Sequence, residues 1–126
     1  MKKACVLVVD DDPDVRELLL FMLKVKGYDV MAAADGKAAL DAIEQQCPSL
    51  VVTDVMMPEM DGEQLIREVR ARKGCADLPI VAMSAYGDWL AKAYISGATE
   101  TVRKPCDPLD LLDVISRLLP DDGLGH

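Results

Sequence analysis

Short apolar segments alternate five times with longer segments of helical periodicity along this chain of 126 residues. The apolar segments are predicted to be strands at Ala4–Val9, Tyr28–Ala33, Leu50–Thr53, Ile80–Met83 and Thr99–Val102. Such regular alternation is typical of an α/β fold, in which helices cover both faces of a parallel sheet. This pattern leaves few other arrangements open to the chain.

The segments between the strands carry signals for helix starts and stops. Proline is favoured in the first helical turn, aspartate caps helix N-termini, and glycine or proline marks helix ends. These signals predict helices from near Pro13 to near Gly27, from the capping Asp35 to about Gln46, over about Glu63–Arg72, over about Asp88–Ser96, and from the capping Asp107 to the residue before Pro120. Residues 1–120 are therefore predicted to form one domain, and residues 121–126 a solvated tail or the start of a linker.

The polarity of the strands predicts their order. The first, third and fourth strands are continuously apolar, which is typical of strands that are buried on both faces of a sheet. The second and fifth strands are more polar and suit the sheet edges. The simplest doubly wound arrangement that satisfies this ranking has the strand order 2-1-3-4-5.

Polar and charged side chains follow the predicted strands at their carboxyl ends. In doubly wound sheets a site forms at this edge, where the winding direction reverses. With the order 2-1-3-4-5, the reversal lies between the first and third strands. The side chains expected at this edge are Asp10, Asp11, Asp12, Asp54, Ser84 and Lys104.

This set of side chains suits magnesium and phosphate. Clustered carboxylates without histidine or cysteine are hard oxygen ligands, and Mg²⁺ is usually held by one or two carboxylates together with water and phosphate. Asp54 could then be the nucleophile of a phosphoryl transfer, with Lys104 pairing with a phosphoryl oxygen and Ser84 donating to another. Asp12, directly before Pro13, is the better candidate for a helix cap.

Other motifs that use clustered aspartates fit less well. A calcium-binding EF-hand loop that started at Asp10 would need glycine at Val15 and glutamate at Phe21. The Asp10-x-Asp12 pair fits the haloacid-dehalogenase phosphatases, although Asp14 stands where they have a hydroxyl or valine and the chain is short for such an enzyme. Glycine-rich nucleotide-binding motifs follow none of the strands.

Composition restricts the partners and the compartment. A net charge of −8 argues against direct binding to nucleic acid or to an anionic membrane surface. The first apolar segment is too short for a secretory signal, and no segment approaches the length of a membrane span. The four cysteines are far apart and make no C-x-x-C pair, so we expect them to be unpaired in a reducing, cytoplasmic compartment.

Five short motifs follow one another along the chain: VVDDD (8–12), VVTDVMMPEMDG (51–62), PIVAMSA (79–85), GA (97–98) and KP (104–105). Together they resemble the motifs of the receiver domains of two-component response regulators. The resemblance covers Lys3 to about Leu119 and implies the flavodoxin-like doubly wound (βα)5 sandwich of chemotaxis regulators. Each motif alone is weak, but all five at these spacings are specific.

The resemblance implies a role for each residue of the predicted site. Asp54 would accept the phosphoryl group, and Asp11, with help from Asp10, would bind Mg²⁺ together with Asp54 and the backbone carbonyl of Met56. Ser84 would be the switch hydroxyl and Lys104 would pair with the phosphoryl group. A cis peptide bond is frequent in the family at the position of Lys104–Pro105.

The same resemblance implies partners and leaves alternatives open. The phosphoryl group would come from a sensor histidine kinase or a histidine phosphotransfer domain that docks near the first helix, since His126 is the only histidine. The output partner is not readable, a homodimer is possible, and the domain would catalyse only its own phosphorylation and dephosphorylation. Thr101 and Cys106 stand where receivers often have aromatic residues. The Thr101 departure gives some support to the alternative of a pseudo-receiver that acts only through protein contacts. An aspartate-dependent phosphatase is a weaker alternative.

Overall fold

The computed structural model describes residues 3–57 and 60–119. In these two ranges the chain alternates between five strands and five helices. The strands are β1 (Cys5–Val9), β2 (Asp29–Ala33), β3 (Leu50–Asp54), β4 (Ile80–Ser84) and β5 (Glu100–Arg103). The helices are α1 (Pro13–Val25), α2 (Gly36–Gln45), α3 (Gly62–Arg70), α4 (Gly87–Ser96) and α5 (Pro108–Leu118). None of these helices has the length and apolar character needed to cross a membrane.

The strands form one parallel sheet in the order β2-β1-β3-β4-β5. The predicted fold and strand order are therefore confirmed. Every residue of β1, β3 and β4 is buried, whereas β2 and β5 are partly exposed. The apolar ranking of the strands thus follows from their burial between two layers of helices.

Two apolar cores lie on opposite faces of the sheet. Alternate residues of a strand point to opposite faces, so Val6 and Val8 of β1 join one core while Leu7 and Val9 join the other. The first core takes its helical side chains from α1 and α5, the second from α2, α3 and α4. With both faces of the sheet covered, the functional groups are left to the ends of the strands.

Aspartate side chains cap four of the helices. The caps of α1, α2 and α5 are Asp12, Asp35 and Asp107, as predicted, and Asp61 caps α3. Each carboxylate accepts a hydrogen bond from a backbone N–H of the first turn, which would otherwise lack a partner. The carboxylate of Asp12 is thus committed to the cap of α1.

The ends of the elements differ slightly from the predicted ones. Strands β3 and β4 each extend to the polar residue that follows their apolar segment, so Asp54 and Ser84 lie within the sheet. Helix α1 ends at Val25, before Gly27, which adopts a positive φ of 99°. The predicted tail at 121–126 lies outside the described residues.

The prediction that the cysteines are unpaired is wrong for two of them. Cys47 and Cys75 form a disulfide with a Cα–Cα distance of 6.7 Å, while Cys5 and Cys106 are free. The two cysteines are 28 positions apart in the sequence, and they meet because α2 and α3 end side by side. The spacing of the cysteines in the sequence does not predict how these two helices pack.

Arg70 connects three segments at the amino-terminal edge of the sheet. Its guanidinium donates hydrogen bonds to the carbonyl oxygens of Gly97 (2.9 Å), Ala76 (3.0 Å) and Leu78 (2.6 Å). Partial burial lowers the pKa of Arg70, although nearby Asp77 opposes this effect. The side chain therefore ties the end of α3 to the segments that lead into β4 and β5.

Replacing Arg70 by methionine should cost about 2 kcal/mol of unfolding free energy, because carbonyl groups in a partly buried position lose charged donors. Arg67 lies on the same helix and makes an exposed ion pair with Glu63. Arg67→Met should therefore cost less than about 1 kcal/mol. Urea denaturation of both variants checks this difference, and equal losses would contradict the role of Arg70.

Candidate functional site

The carboxyl ends of β1 and β3 bring three aspartates together at one edge of the sheet. Asp10 and Asp11 directly follow β1, and Asp54 is the last residue of the neighbouring β3. One carboxylate oxygen from each of the three residues lies within 4.8 Å of the others. The predicted gathering of these side chains at the winding reversal is therefore present.

Backbone contacts hold Asp10 in place. Its N–H donates to the carbonyl of Ala33 (3.2 Å), and its carboxylate accepts from the N–H of Asp12 (2.9 Å). The guanidinium of Arg16 donates to the Asp10 carbonyl (2.8 Å). Asp10 is fully buried whereas Asp11 is exposed, so the cluster opens to solvent on the side of Asp11.

The close approach of α3 fixes the backbone at Asp54. Gly62, at the start of α3, lies so near that a Cβ there would be 2.6 Å from the Asp54 carbonyl oxygen. The Gly62 N–H donates to the Val55 carbonyl (2.7 Å), and the Thr53 hydroxyl donates to the Asp54 carbonyl (2.9 Å). The predicted acceptor thus stands on a rigid strand end, and only glycine fits at position 62 without displacing that strand.

Lys104 contacts two of the three carboxylates. Its Nζ lies 3.4 Å from Oδ2 of Asp54 and 3.5 Å from Oδ2 of Asp10. Its backbone N–H donates to the carbonyl of Ser84 (2.9 Å), and the Lys104–Pro105 peptide bond is cis, as the resemblance implied. The ammonium group is therefore placed where it can also pair with a group bound to Asp54.

Ser84 lies at the end of β4, one residue beyond the register partner of Asp54. Its side chain is almost completely buried, and its hydroxyl oxygen accepts a hydrogen bond from the N–H of Tyr86 (3.1 Å). Because the hydroxyl rotates freely about its C–O bond, its proton can still be donated to another acceptor. The sheet thus places this donor beside the acidic cluster.

Burial and charge act in opposite directions on the site. Burial raises the pKa of Asp54, and the charge of Asp10 adds to this increase, while Lys104 and the Met56 N–H lower it without offsetting it. Burial lowers the pKa of Lys104, but the carboxylates of Asp54 and Asp10 outweigh this effect and the net shift is upward. The carboxylates thus keep Lys104 protonated. The single positive charge of Lys104 does not fully compensate the negative charge of the cluster.

The three carboxylates fit a hard divalent cation. They supply only oxygen ligands, they lie within one coordination sphere of each other, and a cation would relieve the burial of Asp54 as a charged group. The Met56 N–H donates to Oδ1 of Asp54 at 3.4 Å, which places the Met56 backbone beside the cluster. The part of the Met56 carbonyl in metal binding stays a prediction.

Sequence reasoning did not identify Arg16 and Gly62 as parts of this site. Arg16 is on α1, and its contact with the Asp10 carbonyl depends on how the helix packs, which no local signal reveals. Gly62 could have been suspected, because glycine is the residue that permits the closest approach of the backbone to a neighbouring group. Both residues support the carboxylates from outside the cluster.

A model of the response regulator receiver domain family matches residues 6–116 of the chain. The match therefore includes all the residues of the site described above. It also covers β2 to β5, all of β1 except Cys5, and every helix except the last two residues of α5.

Sequence comparison with other proteins supports the same family. An uncharacterized 14.6 kDa protein of Leptolyngbya boryana is 44% identical, with 89% of this chain and 87% of that protein covered. The response regulator MprA of Mycolicibacterium vanbaalenii is 40% identical over 96% of this chain and 54% of that protein. A probable transcriptional regulator of Porphyridium aerugineum, ycf27, is 37% identical over 88% and 46%. The chain thus spans about half the length of these two regulators.

Solved structures agree in fold. The chemotaxis response regulator CheY4 of Vibrio cholerae is 31% identical and superposes with a TM-score of 0.88 over 94% of this chain and 100% of that one. The receiver domain of NtrX from Brucella abortus is 33% identical, with a TM-score of 0.82 over 90% and 97%. The chain described here belongs to the response regulator receiver domain family.

Proposed function

We propose that this domain accepts a phosphoryl group on Asp54 from a phosphohistidine of a partner protein, in a reaction that requires Mg²⁺. The observation that carries this proposal is the convergence of Asp10, Asp11 and Asp54 within 4.8 Å, with Lys104 in contact with two of them. A domain that served only as a contact surface would gain nothing from gathering these charges at one site.

The transfer is a single displacement at phosphorus. The Asp54 carboxylate attacks, the bond between phosphorus and the donor's histidine nitrogen breaks, and the products are an aspartyl-phosphate and a free histidine. Lys104 pairs with a phosphoryl oxygen, and Ser84 donates its hydroxyl proton in a hydrogen bond to another. Little covalent chemistry is required of other groups, so positioning and charge carry the rate. In this proposal the domain is not an enzyme for other substrates.

Asp10 and Asp11 would hold the cation, and Asp54 and the Met56 carbonyl would complete the protein ligands. When bound, Mg²⁺ would neutralise charge on the phosphoryl oxygens and so lower the repulsion that faces the incoming group. The exposed position of Asp11 leaves room for water and phosphate on the open side. Asp12 would take no part, since its carboxylate caps α1.

The donor would dock beside α1. Leu18, Leu19, Pro105 and Cys106 line an apolar groove of about 470 Å³, and Lys104 lies at its edge next to the acidic cluster. Leu18 and Phe21 of α1 are 49% and 66% exposed, so both side chains are accessible to a partner. An apolar surface beside a polar site suits a sensor histidine kinase or a histidine phosphotransfer domain.

The alternative of a pseudo-receiver rests on Thr101. This half-buried residue of β5 replaces the aromatic side chain whose rotation couples the site to the output surface in many receivers. The site residues themselves argue against the alternative, because they supply nucleophile, cation ligands and phosphate pairing together.

Phosphorylation should require Asp54. We expect acetyl phosphate and Mg²⁺ to add one phosphoryl group to the wild-type chain, seen by intact mass, and Asp54→Asn to take up none. Asp61→Asn is the matched control, because asparagine still caps α3 and the site is untouched. Labelling of Asp54→Asn at the wild-type rate would refute the assignment, and an unlabelled wild type would favour the pseudo-receiver.

Mg²⁺ affinity should distinguish Asp11 from its neighbour. Asp11→Asn removes a charged ligand and should weaken binding at least about tenfold. Asp12→Asn preserves the cap of α1 and should leave the affinity within about twofold. Trp89 lines a cavity together with Met56 and Asp61, so its fluorescence can report the titration. Equal losses in the two variants would contradict the separation of roles.

A further inference from the structure

We propose that Cys47 and Cys75 are a reversible dithiol–disulfide pair that latches two loops together at the amino-terminal edge of the sheet, opposite the acidic cluster. Cys47 lies between α2 and β3, and Cys75 lies between α3 and β4. Their disulfide thus joins the segments that lead into the strands of Asp54 and Ser84. The inference does not depend on the proposed phosphorylation.

Contacts other than the disulfide keep the two cysteines close. Arg72, at the end of α3, makes an ion pair with Glu44 of α2 at 2.8 Å. Arg70 holds the other side of the same loop through the carbonyls of Ala76 and Leu78. Because these contacts do not involve sulfur, the loops should stay near each other when both cysteines are thiols. A high effective concentration favours closing the bond.

The exposure of the two cysteines assigns a different role to each. Cys47 is exposed, whereas Cys75 is only 8% exposed. A dissolved disulfide such as oxidised glutathione can therefore exchange with Cys47, giving a mixed disulfide and one free glutathione. The Cys75 thiolate then attacks the Cys47 sulfur and releases the second glutathione. Overall, two protein thiols become one disulfide, and one glutathione disulfide becomes two glutathione thiols.

Reduction reverses the same steps. A dissolved thiolate attacks the exposed Cys47 sulfur and frees Cys75, and a second thiol completes the exchange. Closing the bond removes conformational freedom from the unfolded chain over the 28-residue separation. Oxidation should therefore stabilise the fold and slow local opening of the segments at 45–49 and 73–79. The latch makes the stability of the domain dependent on the thiol–disulfide balance around it.

Thiol counting tests the latch in the full chain. The protein is reduced, freed of reductant, equilibrated with oxidised glutathione, and then denatured and alkylated. We expect two of the four cysteines to resist alkylation, and unreduced tryptic peptides to link Cys47 to Cys75. Cys47→Ser, an exposed change that should not disturb folding, must abolish the link, whereas Cys106→Ser must retain it. Four alkylated cysteines, a persistent glutathione adduct at Cys47, or a link through Cys5 or Cys106 would overturn the proposal.

Thermal unfolding tests the consequence for stability. The oxidised wild-type protein should melt on the order of 10 °C above the reduced protein. In Cys47→Ser the oxidised and reduced samples should melt together, and in Cys106→Ser the wild-type difference should persist. Equal melting temperatures of the two wild-type forms, once the Cys47–Cys75 link is verified by mass, would show that the bond is not a latch.

Discussion

Two like-charged carboxylates are buried at the carboxyl ends of neighbouring strands. The function proposed for this domain depends on that unfavourable arrangement. Parallel pairing of β1 and β3 makes Asp10 and Asp54 neighbours, and both are almost completely buried. Lys104 offsets part of their repulsion, but burial still raises the pKa of Asp54. A fold tolerates a buried, incompletely paired carboxylate when the carboxylate binds a cation or takes part in a reaction.

The rest of the fold holds that cluster rigid. Two apolar cores clamp the sheet between helices, and Gly62 lets α3 lie against the backbone of Asp54. Arg16 secures the carbonyl of Asp10 from α1. At the far edge, Arg70 and the pair Cys47–Cys75 secure the loops that precede β4 and β3. Packing and hydrogen bonds elsewhere stabilise the fold. The fold can therefore tolerate the electrostatic repulsion within the acidic cluster.

Much of this architecture could be read from the sequence because its signals are local. Strand order followed from the apolar character of each strand, and the caps Asp12, Asp35 and Asp107 followed from residue type beside a helical segment. The gathering of Asp10, Asp11 and Asp54 followed from the topology, since the carboxyl ends of parallel strands meet at one edge. The roles of the site residues came from the chemistry of their side chains and from family resemblance, and they stay predictions.

The features that the sequence did not predict depend on tertiary packing, which brings together residues that are far apart in the chain. Cys47 and Cys75 meet only because α2 and α3 end side by side, so the expectation of unpaired cysteines was wrong for them. Arg16 and Arg70 donate hydrogen bonds to backbone carbonyls. Sequence patterns do not predict these contacts, because they assign arginine to the solvent-exposed surface. Leu18 of α1 is apolar but half exposed, because it lines the open groove beside α5.

Thermal unfolding with and without Mg²⁺ tests the central claim most directly. Because the folded-state pKa of Asp54 is raised, its ionised form destabilises the fold above that pKa. This destabilisation fades as the pH falls towards the ordinary value of 3.8. Without metal, Asp54→Asn should therefore melt above the wild type at neutral pH, by a margin that shrinks on acidification. Millimolar Mg²⁺ should raise the melting temperature of the wild type more than that of the variant. A wild-type melting temperature that Mg²⁺ leaves unchanged would contradict the account.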